Sequence, residues 1–276
     1  MPEEAGPATA SAVNDFDPAR YWNDRHQRTE GLDGVGYLGL GPFNDWMYRV
    51  RTRVFRRLLR PLMSKVQGAR VLDVGSGTGF YLDLWTALGA GEVRGIDISE
   101  IAIQRLEGRY PGKVQVLDLT QATDAQLSAL GTFDFISVMD VLYHVVDDAA
   151  YAQAFANLAR LLRPGGFLVF SENFLQHTSR QANAWQVSRE RPVIEGLLRA
   201  NGFLLRERRP WFIVMNNPLD SHNPALKAYW WGLQQAVRRS KILSQALGAS
   251  LFPLEVALTK FLPESPTSEV ALAERG

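Results

Sequence analysis

The fold is decided by the stretch VLDVGSGTGF at residues 71–80. Its first residues are apolar and partly β-branched, as in a buried strand, and its alternating glycines lead directly into a helical pattern. Glycine suits such a tight turn, and a ligand can approach the backbone there because no Cβ lies in the way. The N–H groups that begin the next helix favour an anionic group, either a carboxylate or a phosphate. The stretch therefore predicts a strand, a ligand-binding turn and a helix; a purely structural turn is the alternative.

The spacing of the glycines separates two kinds of cofactor. A dinucleotide fingerprint is G-x-G-x-x-G, and its third glycine, counted from Gly75 and Gly77, would fall on Phe80. The loop instead reads G-x-G-x-G and ends at Gly79, with Asp73 two residues before it. This spacing argues against an NAD-dependent oxidoreductase.

Short β-branched runs alternate with helix-like segments on either side of this loop. The strand and helix pairs fall at 70–74 and 80–88, 93–98 and 100–110, 114–117 and 124–130, 133–139 and 148–162, and 166–171 and 187–201, followed by a strand at 203–208. This alternation predicts parallel strands joined by right-handed crossovers, with ligands at the carboxyl ends of the strands. We expect an α/β fold of the Rossmann-like, doubly wound type, with a mostly parallel seven-stranded sheet and helices on both faces. An N-terminal helical cap and a helical insert before the last strand complete it.

The chain divides into five predicted segments. Residues 1–14 are expected to be a disordered lead, because they are rich in Ala, Pro, Glu and Thr. Residues 15–66 form the helical cap, with one long helix at about 44–66, and residues 67–216 form the cofactor-binding core. Residues 217–263 form the apolar insert, which is a candidate substrate lid, dimer interface or both. Residues 264–276 hold the final strand and the C-terminus.

Two further acids follow the next strands of the pattern. Asp97 ends the strand at 93–98, where one carboxylate can accept hydrogen bonds from both hydroxyls of a ribose. NAD enzymes use the same contact, so Asp97 indicates a ribose without identifying the cofactor. Asp118 follows the third strand, and taken alone it is as well explained by a helix cap or a solvated turn. Three acidic residues at successive strand ends argue against coincidence.

At this point the sequence resembles the class I S-adenosylmethionine-dependent methyltransferases, whose first motif is an acidic residue followed by G-x-G-x-G after the first strand. The segment FDFISVMDVLYHV at 133–145 is similar to the fourth strand and active-site edge of that family. The segment LLRPGGFLV at 161–169 resembles its helix-end turn and fifth strand. The resemblance covers about residues 68–209 and the last strand, and it is weak before Asn44 and across the insert.

The resemblance implies S-adenosylmethionine as the cofactor. Asp97 would hold the ribose, Asp118 the adenine amino group, and the backbone N–H of Leu119 the adenine ring. Asp140 either accepts a hydrogen bond from the methionine amino group or merely ends its strand. Tyr21 and Trp22 precede the core, where related enzymes fold a helix over the cofactor; contact and simple packing both remain open. The full set of expected cofactor residues is Tyr21, Trp22, Asp73, Gly75, Ser76, Gly77, Gly79, Asp97, Ile98, Asp118, Leu119, Asp140 and Val141.

His144 is the candidate catalytic residue. Methyl transfer from a sulfonium is an in-line displacement, so alignment of the reacting atoms supplies most of the catalysis. A base is needed only when the nucleophile must lose a proton, and imidazole titrates near working pH. The alternative is that His144 caps the next helix or packs beneath it.

The net charge and the sequence at 140–143 restrict the kinds of partner that we expect. The net charge of +1 gives no global reason to expect a nucleic-acid partner. The sequence at 140–143, Asp-Val-Leu-Tyr, also lacks the polar residue, two prolines and aromatic that are typical of enzymes methylating nucleobase amines. We therefore expect a small-molecule substrate, apolar or aromatic to match the insert, and no nucleic acid. A non-catalytic S-adenosylmethionine-binding or scaffolding module and a methyltransferase acting on a macromolecule are the alternatives.

The remaining expectations concern location and assembly. The chain has no cysteine, which removes disulfides and thiolate metal sites, and we expect no metal site. The N-terminus lacks the basic and apolar regions of a secretory signal. The most apolar stretch, 242–262, is interrupted by polar residues and Pro253, so no membrane span is expected. These features are compatible with a cytoplasmic protein, with the apolar insert as a candidate homodimer interface.

Overall fold

A seven-stranded sheet forms the centre of the protein. The computed structural model describes residues 16–276, so the expected disordered lead at 1–14 lies outside the described residues. The strands are β1 (Arg70–Val74), β2 (Glu92–Asp97), β3 (Val114–Val116), β4 (Phe133–Val138), β5 (Leu162–Glu172), a separate hairpin of β6 (Arg180–Asn183) and β7 (Gln186–Ser188), β8 (Phe203–Pro210) and β9 (Glu269–Arg275). Their order in the sheet is β3-β2-β1-β4-β5-β9-β8. Strands β1 to β5 pair in parallel, and β9 runs antiparallel between β5 and β8. The expected Rossmann-like fold is confirmed.

Helices cover both faces of this sheet. They are α1 (Pro18–Arg28), α2 (Pro42–Leu59), α3 (Met63–Val66), α4 (Phe80–Ala87), α5 (Glu100–Glu107), α6 (Asp124–Leu130), α7 (Asp148–Leu161), α8 (Arg191–Ala200), α9 (Pro224–Arg239) and α10 (Lys241–Phe261). Short 3-10 turns lie at Gly31–Gly34, Arg60–Leu62 and Leu142–His144. On one face, α2, α4 and the insert helices enclose an apolar core, and on the other face α6, α7 and α8 enclose a second one. Every residue of β4 is buried, as expected for a central parallel strand covered on both sides.

Short polar side chains cap the N-termini of α5 and α7. Ser99 Oγ accepts a hydrogen bond from Ala102 N (3.2 Å), and an Asp147 carboxylate oxygen accepts one from Ala150 N (2.7 Å). Each satisfies an N–H group that has no partner within its helix. Because each cap lies in the connection that follows a parallel strand, these helices begin at the same sheet edge, which keeps the connecting loops together.

Three local predictions were wrong. The helix expected at about 44–66 is interrupted by the turn at Arg60–Leu62, because Pro61 lacks an N–H and cannot continue the helical ladder. The helix expected at 187–201 begins at Arg191, because the preceding residues pair as the hairpin strand β7. Strand β5 begins at Leu162, so the Arg-Pro-Gly-Gly turn lies within it, at an irregularity in its pairing with β4.

The insert consists of the helices α9 and α10, as expected, and α10 packs along α2. Among the described residues, one helix, α10, is long and apolar enough to cross a membrane by length and composition only, and 22% of its most apolar window is buried. The expectation that the chain has no membrane span stays a prediction.

Candidate active site

A cavity of about 400 Å³ lies beside the carboxyl ends of β1, β2 and β4. That volume falls in the range of small-molecule sites, roughly 300–1,000 Å³. Eleven of the fourteen predicted site residues line it, namely Trp22, Gly75, Ser76, Gly77, Asp97, Ile98, Asp118, Leu119, Asp140, Val141 and His144. The structure thus brings together the strand ends on which the sequence analysis concentrated.

The glycine loop forms the floor of the cavity. Gly75 and Gly77 have φ angles of +72° and +49°, a backbone conformation that residues with a Cβ rarely adopt. A Cβ on Gly75 would collide with Val141, and one on Gly77 would lie 2.8 Å from Val35 Cγ1. Ser76 Oγ donates to the Asp73 carbonyl oxygen (3.0 Å), which ties the turn to the end of β1. The loop is therefore held in one conformation between β1 and the N-terminal segment.

Asp97 is buried and joins the glycine loop to the start of α5. One carboxylate oxygen accepts a hydrogen bond from Gly77 N (2.8 Å), and the other accepts one from Ser99 N (2.8 Å). Burial raises the pKa of Asp97, while these backbone donors act in the opposite direction. An ionised carboxylate has about four acceptor positions, so two remain for hydroxyl groups in the cavity.

Asp118 and Leu119 line the side of the cavity beyond β3. One oxygen of Asp118 accepts hydrogen bonds from both the N–H and the hydroxyl of Thr120 (2.8 Å each). The Leu119 carbonyl accepts a hydrogen bond from Asn157 Nδ2 (2.7 Å). The turn alternative therefore accounts for one oxygen of Asp118. The other oxygen accepts no hydrogen bond among the described residues.

Asp140 is paired with an arginine that the sequence analysis did not select. Its carboxylate forms an ion pair with Arg51 of α2, and its other oxygen accepts a hydrogen bond from Ser171 Oγ (3.0 Å). Asp140 has a φ angle of +59°, so the backbone turns sharply just after β4. The Arg51 guanidinium lies 5.1 Å from the centre of the Tyr48 ring and 5.2 Å from that of Phe212. The geometry supports the strand-ending role of Asp140 and adds a buried cation beside the cavity.

The N-terminal helix α1 covers the cavity. Asn23 Oδ1 accepts hydrogen bonds from Ser99 Oγ (2.9 Å) and Ile101 N (3.2 Å), which fixes α1 to the start of α5. Trp22 and His26 line the cavity from this helix. Burial lowers the pKa of His26 to about 4, so its ring is neutral near pH 7.

His144 has one ring nitrogen engaged and lines the cavity. Its Nδ1 lies 2.8 Å from the carbonyl oxygen of Trp185, and since a carbonyl can only accept, Nδ1 carries the proton. In the neutral ring Nε2 is then the acceptor. The Trp22 ring lies edge-on to His144, with 4.9 Å between ring centres. Burial lowers the pKa of His144 to about 4, which keeps the imidazole in its neutral form.

Three predicted cofactor residues do not line the cavity. Tyr21 stacks on Trp185 with ring centres 5.3 Å apart. Asp73 lies within the sheet and accepts a hydrogen bond from Ser137 Oγ (2.5 Å), and burial raises its pKa to about 7. Gly79 caps α4, and a Cβ there would meet the side chains of Arg109 and Leu106. Their places in the structure suit packing and loop support rather than direct contact with a ligand.

The sequence analysis missed Arg51, His26 and Trp185. Arg51 offered a signal, because it is four residues after Met47 and three before Val54 and so falls on the apolar stripe of α2. None of the residues lining the cavity belongs to 217–263, so the expected lid role of the insert stays a prediction. Among the described residues, no three His, Asp or Glu side chains are placed to hold a metal ion.

A family model described as a methyltransferase domain matches residues 46–203, which is more than half of the chain. The chain belongs to this family. The match begins within α2 and ends at the start of β8, so it contains the glycine loop, Asp97, Asp118, Asp140 and His144.

Curated relatives match this chain over part of its length. A ubiquinone biosynthesis O-methyltransferase from Thiobacillus denitrificans is 40% identical over 106 residues, which are 38% of this chain and 44% of the relative. A protein of the same name from Albidiferax ferrireducens is 37% identical over 167 residues, which are 55% of this chain and 64% of the relative. The chain thus spans about half the length of these relatives.

Solved structures share the fold at low identity. A magnesium protoporphyrin IX methyltransferase from Synechocystis PCC 6803 with bound SAM has a TM-score of 0.54 at 16% identity, covering 99% of this chain and 100% of that one. A 1,6-didemethyltoxoflavin-N1-methyltransferase from Burkholderia thailandensis has a TM-score of 0.53 at 17% identity, covering 98% and 92%. These likenesses concern the fold alone.

Proposed function

We propose that this protein transfers a methyl group from S-adenosylmethionine to a hydroxyl group of a small, aromatic or apolar metabolite. The observation that carries the proposal is one cavity that contains the glycine loop, the Asp97 carboxylate and His144 together. The curated relatives, named as O-methyltransferases of ubiquinone biosynthesis, favour oxygen over nitrogen or carbon as the acceptor atom.

The residues of the cavity fit S-adenosylmethionine. Asp97 retains acceptor positions for a ribose, and its buried location strengthens such hydrogen bonds. Asp118 has one uncommitted oxygen for an amino group, and Ile98 and Leu119 offer apolar walls for a flat base. Arg51 pairs with Asp140 and so holds that side chain at the turn after β4, where Asp140 lines the cavity. When bound, the cofactor supplies an electrophilic methyl group on its sulfonium.

We assign the removal of the hydroxyl proton of the substrate to His144 on its geometry, although its pKa of about 4 makes it a weak base. The Trp185 carbonyl fixes its tautomer, which leaves the lone pair of Nε2 available as a proton acceptor. Trp22 and Tyr143 pack against the ring and limit its rotation. A proton received at Nε2 would leave an imidazolium whose Nδ1–H still donates to the same carbonyl. The cavity wall residues Trp22, Val35, Phe80 and Met139 favour an apolar or aromatic substrate.

The proposal is tested by incubating the protein with S-adenosylmethionine carrying a labelled methyl group and a panel of phenols, catechols, aliphatic alcohols and amines. We expect label in an ether product of a phenolic or apolar alcohol, identified by mass spectrometry. Label in an amine product alone would contradict the choice of acceptor atom. Tight cofactor binding with no transfer to any compound or cell-extract fraction would favour the non-catalytic alternative.

Replacing Asp97 by alanine is expected to weaken S-adenosylmethionine binding by about 1.5–3 kcal/mol, the usual loss for a hydrogen bond to a charged group. The variant also leaves Gly77 N and Ser99 N without their partners, so its thermal stability must be measured beside its affinity. Asp97→Asn is the control, because its amide oxygen retains part of the acceptor capacity, and it should lose less. Unchanged affinity by calorimetry in folded Asp97→Ala would remove Asp97 from the ribose role.

The neutral state of His144 gives a pH prediction for stability. The pKa of about 4 in the folded protein lies below the ordinary value of 6.5, so between these values the unfolded chain binds the extra proton. His144 therefore makes the folded state less stable as the pH falls from about 6.5 to 4. Asp73 and Glu172, whose pKa values burial raises to about 7, act in the opposite direction.

The contribution of His144 is therefore measured as the difference in unfolding stability between wild type and a His144 variant. Urea unfolding of wild type and His144→Gln at a series of pH values should show the variant losing less stability on acidification. Parallel curves would contradict a neutral, buried His144.

The remaining expectations stay predictions. The expected cytoplasmic location agrees with the lack of cysteine, and the expected absence of a nucleic-acid partner agrees with the net charge of +1; cell fractionation and oligonucleotide binding test them. The homodimer expected through the insert is tested by sedimentation velocity. Basic side chains are concentrated beside the insert, and two such surfaces would repel each other in a homodimer.

A further inference from the structure

Helix α10 leaves several large apolar residues exposed, although it packs along α2. Its buried residues are Ser244, Gly248, Glu255 and Thr259. Ile242 and Phe261 are instead 82% and 74% exposed, and Leu243 and Leu254 are also exposed. A surface helix normally turns its apolar stripe towards the core.

Specific contacts determine which face of α10 is turned inward. Ser244 Oγ accepts a hydrogen bond from Phe43 N (2.8 Å) and donates to the Leu40 carbonyl (2.6 Å). Gly248 lies so close to Trp46 of α2 that any Cβ would collide with the indole. The Glu255 carboxylate accepts hydrogen bonds from Ile213 N (2.6 Å) and Val214 N (3.0 Å). These polar and small residues share the inward face with Leu247, Leu251, Phe252 and Val256, which are partly buried against the core, and Ile242 and Phe261 are left on the outward face.

Five of the exposed apolar residues form a stripe along the helix. Residues 242, 246, 253, 257 and 261 recur at helical spacing, and every one is apolar and exposed. On the neighbouring helix α9, Trp231 is exposed as well. An exposed apolar surface of this kind marks a contact with another molecule.

A ridge of arginines runs beside this stripe. Arg49, Arg53 and Arg56 are exposed and recur at helical spacing along α2, against which α10 packs, and Arg60 is exposed just after the end of α2. Arg49, Arg53 and Arg56 line a groove together with Phe252 of α10, so the arginines border the insert helix directly.

The positive charge is concentrated in these helices. Residues 42–66 and 224–262 together carry twelve Lys or Arg against two Asp or Glu, whereas the whole chain carries 30 against 29. One of the twelve cations, Arg51, is buried and paired with Asp140, and one of the two acids, Glu255, is buried and bonded to backbone, which leaves eleven Lys or Arg against Asp45. The surface that combines the stripe and the ridge is therefore both apolar and strongly basic.

We propose that this surface binds the headgroup region of an anionic lipid membrane, with α10 lying in the plane of the membrane. An apolar stripe flanked by basic residues matches the acyl boundary and the anionic headgroups at once. A second copy of the chain fits less well, because it would bring two strongly basic surfaces together. A nucleic acid offers no counterpart to the exposed Ile242 and Phe261. The site requires no membrane crossing and is independent of the proposed methyl transfer.

The experiment is sedimentation of the full chain with vesicles of phosphatidylcholine, with and without about 30 mol % phosphatidylglycerol, at low and high salt. We expect binding to the anionic vesicles at least about tenfold stronger than to the neutral ones, and weaker at high salt. Ile242→Ser with Phe261→Ser should reduce this binding by about tenfold or more. Arg53→Gln with Arg56→Gln should reduce it by about thirtyfold.

Matched controls are Leu204→Ser with Val193→Ser, which removes exposed apolar groups elsewhere, and Arg180→Gln with Arg199→Gln, which removes exposed charges elsewhere. Both should bind as wild type does. S-adenosylmethionine affinity should be unchanged in all four variants, because none of these residues lines the cavity. Absence of vesicle binding, equal binding to both vesicle types, or equal losses in the controls would overturn the proposal. So would a dimer in sedimentation velocity that Ile242→Ser with Phe261→Ser abolishes while vesicle binding is absent.

Discussion

Replacing Gly77 by valine is expected to raise the dissociation constant for S-adenosylmethionine at least about a hundredfold, or roughly 2.7 kcal/mol. Gly77 has a φ of +49°, and an added Cβ would lie 2.8 Å from Val35 Cγ1. A β-branched side chain must therefore displace either the N-terminal segment or the loop. Displacement of the loop also breaks the hydrogen bond from Gly77 N to Asp97, so the acid expected to hold the ribose loses its position.

Gly165→Val is the matched control for this variant. Gly165 has a similar φ of +73°, but an added Cβ there meets no other atom within 4 Å. It therefore reproduces the backbone strain, about 1–2 kcal/mol for a residue in the left-handed region, without touching the cavity. We expect a loss of thermal stability in both variants, larger in Gly77→Val because of the added contact with Val35, and a loss of cofactor affinity only in Gly77→Val. Equal affinities by calorimetry would show that the loop does not hold the cofactor.

Residue type and spacing predicted the site residues that lie at the carboxyl ends of the strands. Alternating glycines after an apolar strand specify a turn of positive φ, which Gly75 and Gly77 adopt. Parallel strands bring their carboxyl ends to one edge, so Asp97, Asp118 and His144 meet around one cavity although they are far apart in sequence. These inferences needed only residue type, spacing and the handedness of the crossovers.

Residues that depend on packing between distant segments were not predictable in this way. Arg51 reaches Asp140 from a helix that precedes the sheet, and Trp185 reaches His144 from the hairpin that follows β5. Asp73 stands in the family motif but points towards Ser137, because side chains alternate along a strand. Composition likewise identified the insert as apolar, but only the contacts of Ser244 and Glu255 determine which face of α10 is turned outward.

Replacing His144 by alanine is expected to lower kcat by about 10²–10⁴-fold on a hydroxyl substrate, the usual contribution of a general base. Cofactor affinity should change little, because the imidazole is held by Trp185 and Trp22 rather than by the glycine loop. The low pKa of His144 means that wild-type kcat/KM should show no acidic limb from this group between pH 5 and 8. Steady-state kinetics on the substrate identified by the labelling experiment, together with calorimetry, supply both numbers.

His144→Gln separates the base from a structural histidine. A glutamine amide can still donate a hydrogen bond to the Trp185 carbonyl but cannot accept a proton at neutral pH. If His144 is the base, both variants lose turnover to a similar degree while retaining cofactor affinity. If it only supports the cavity, His144→Gln should recover most of the activity that His144→Ala loses, and cofactor binding should weaken with turnover. A loss below tenfold in both variants would instead mean that the acceptor reaches the site already deprotonated, so that alignment in the cavity suffices for transfer.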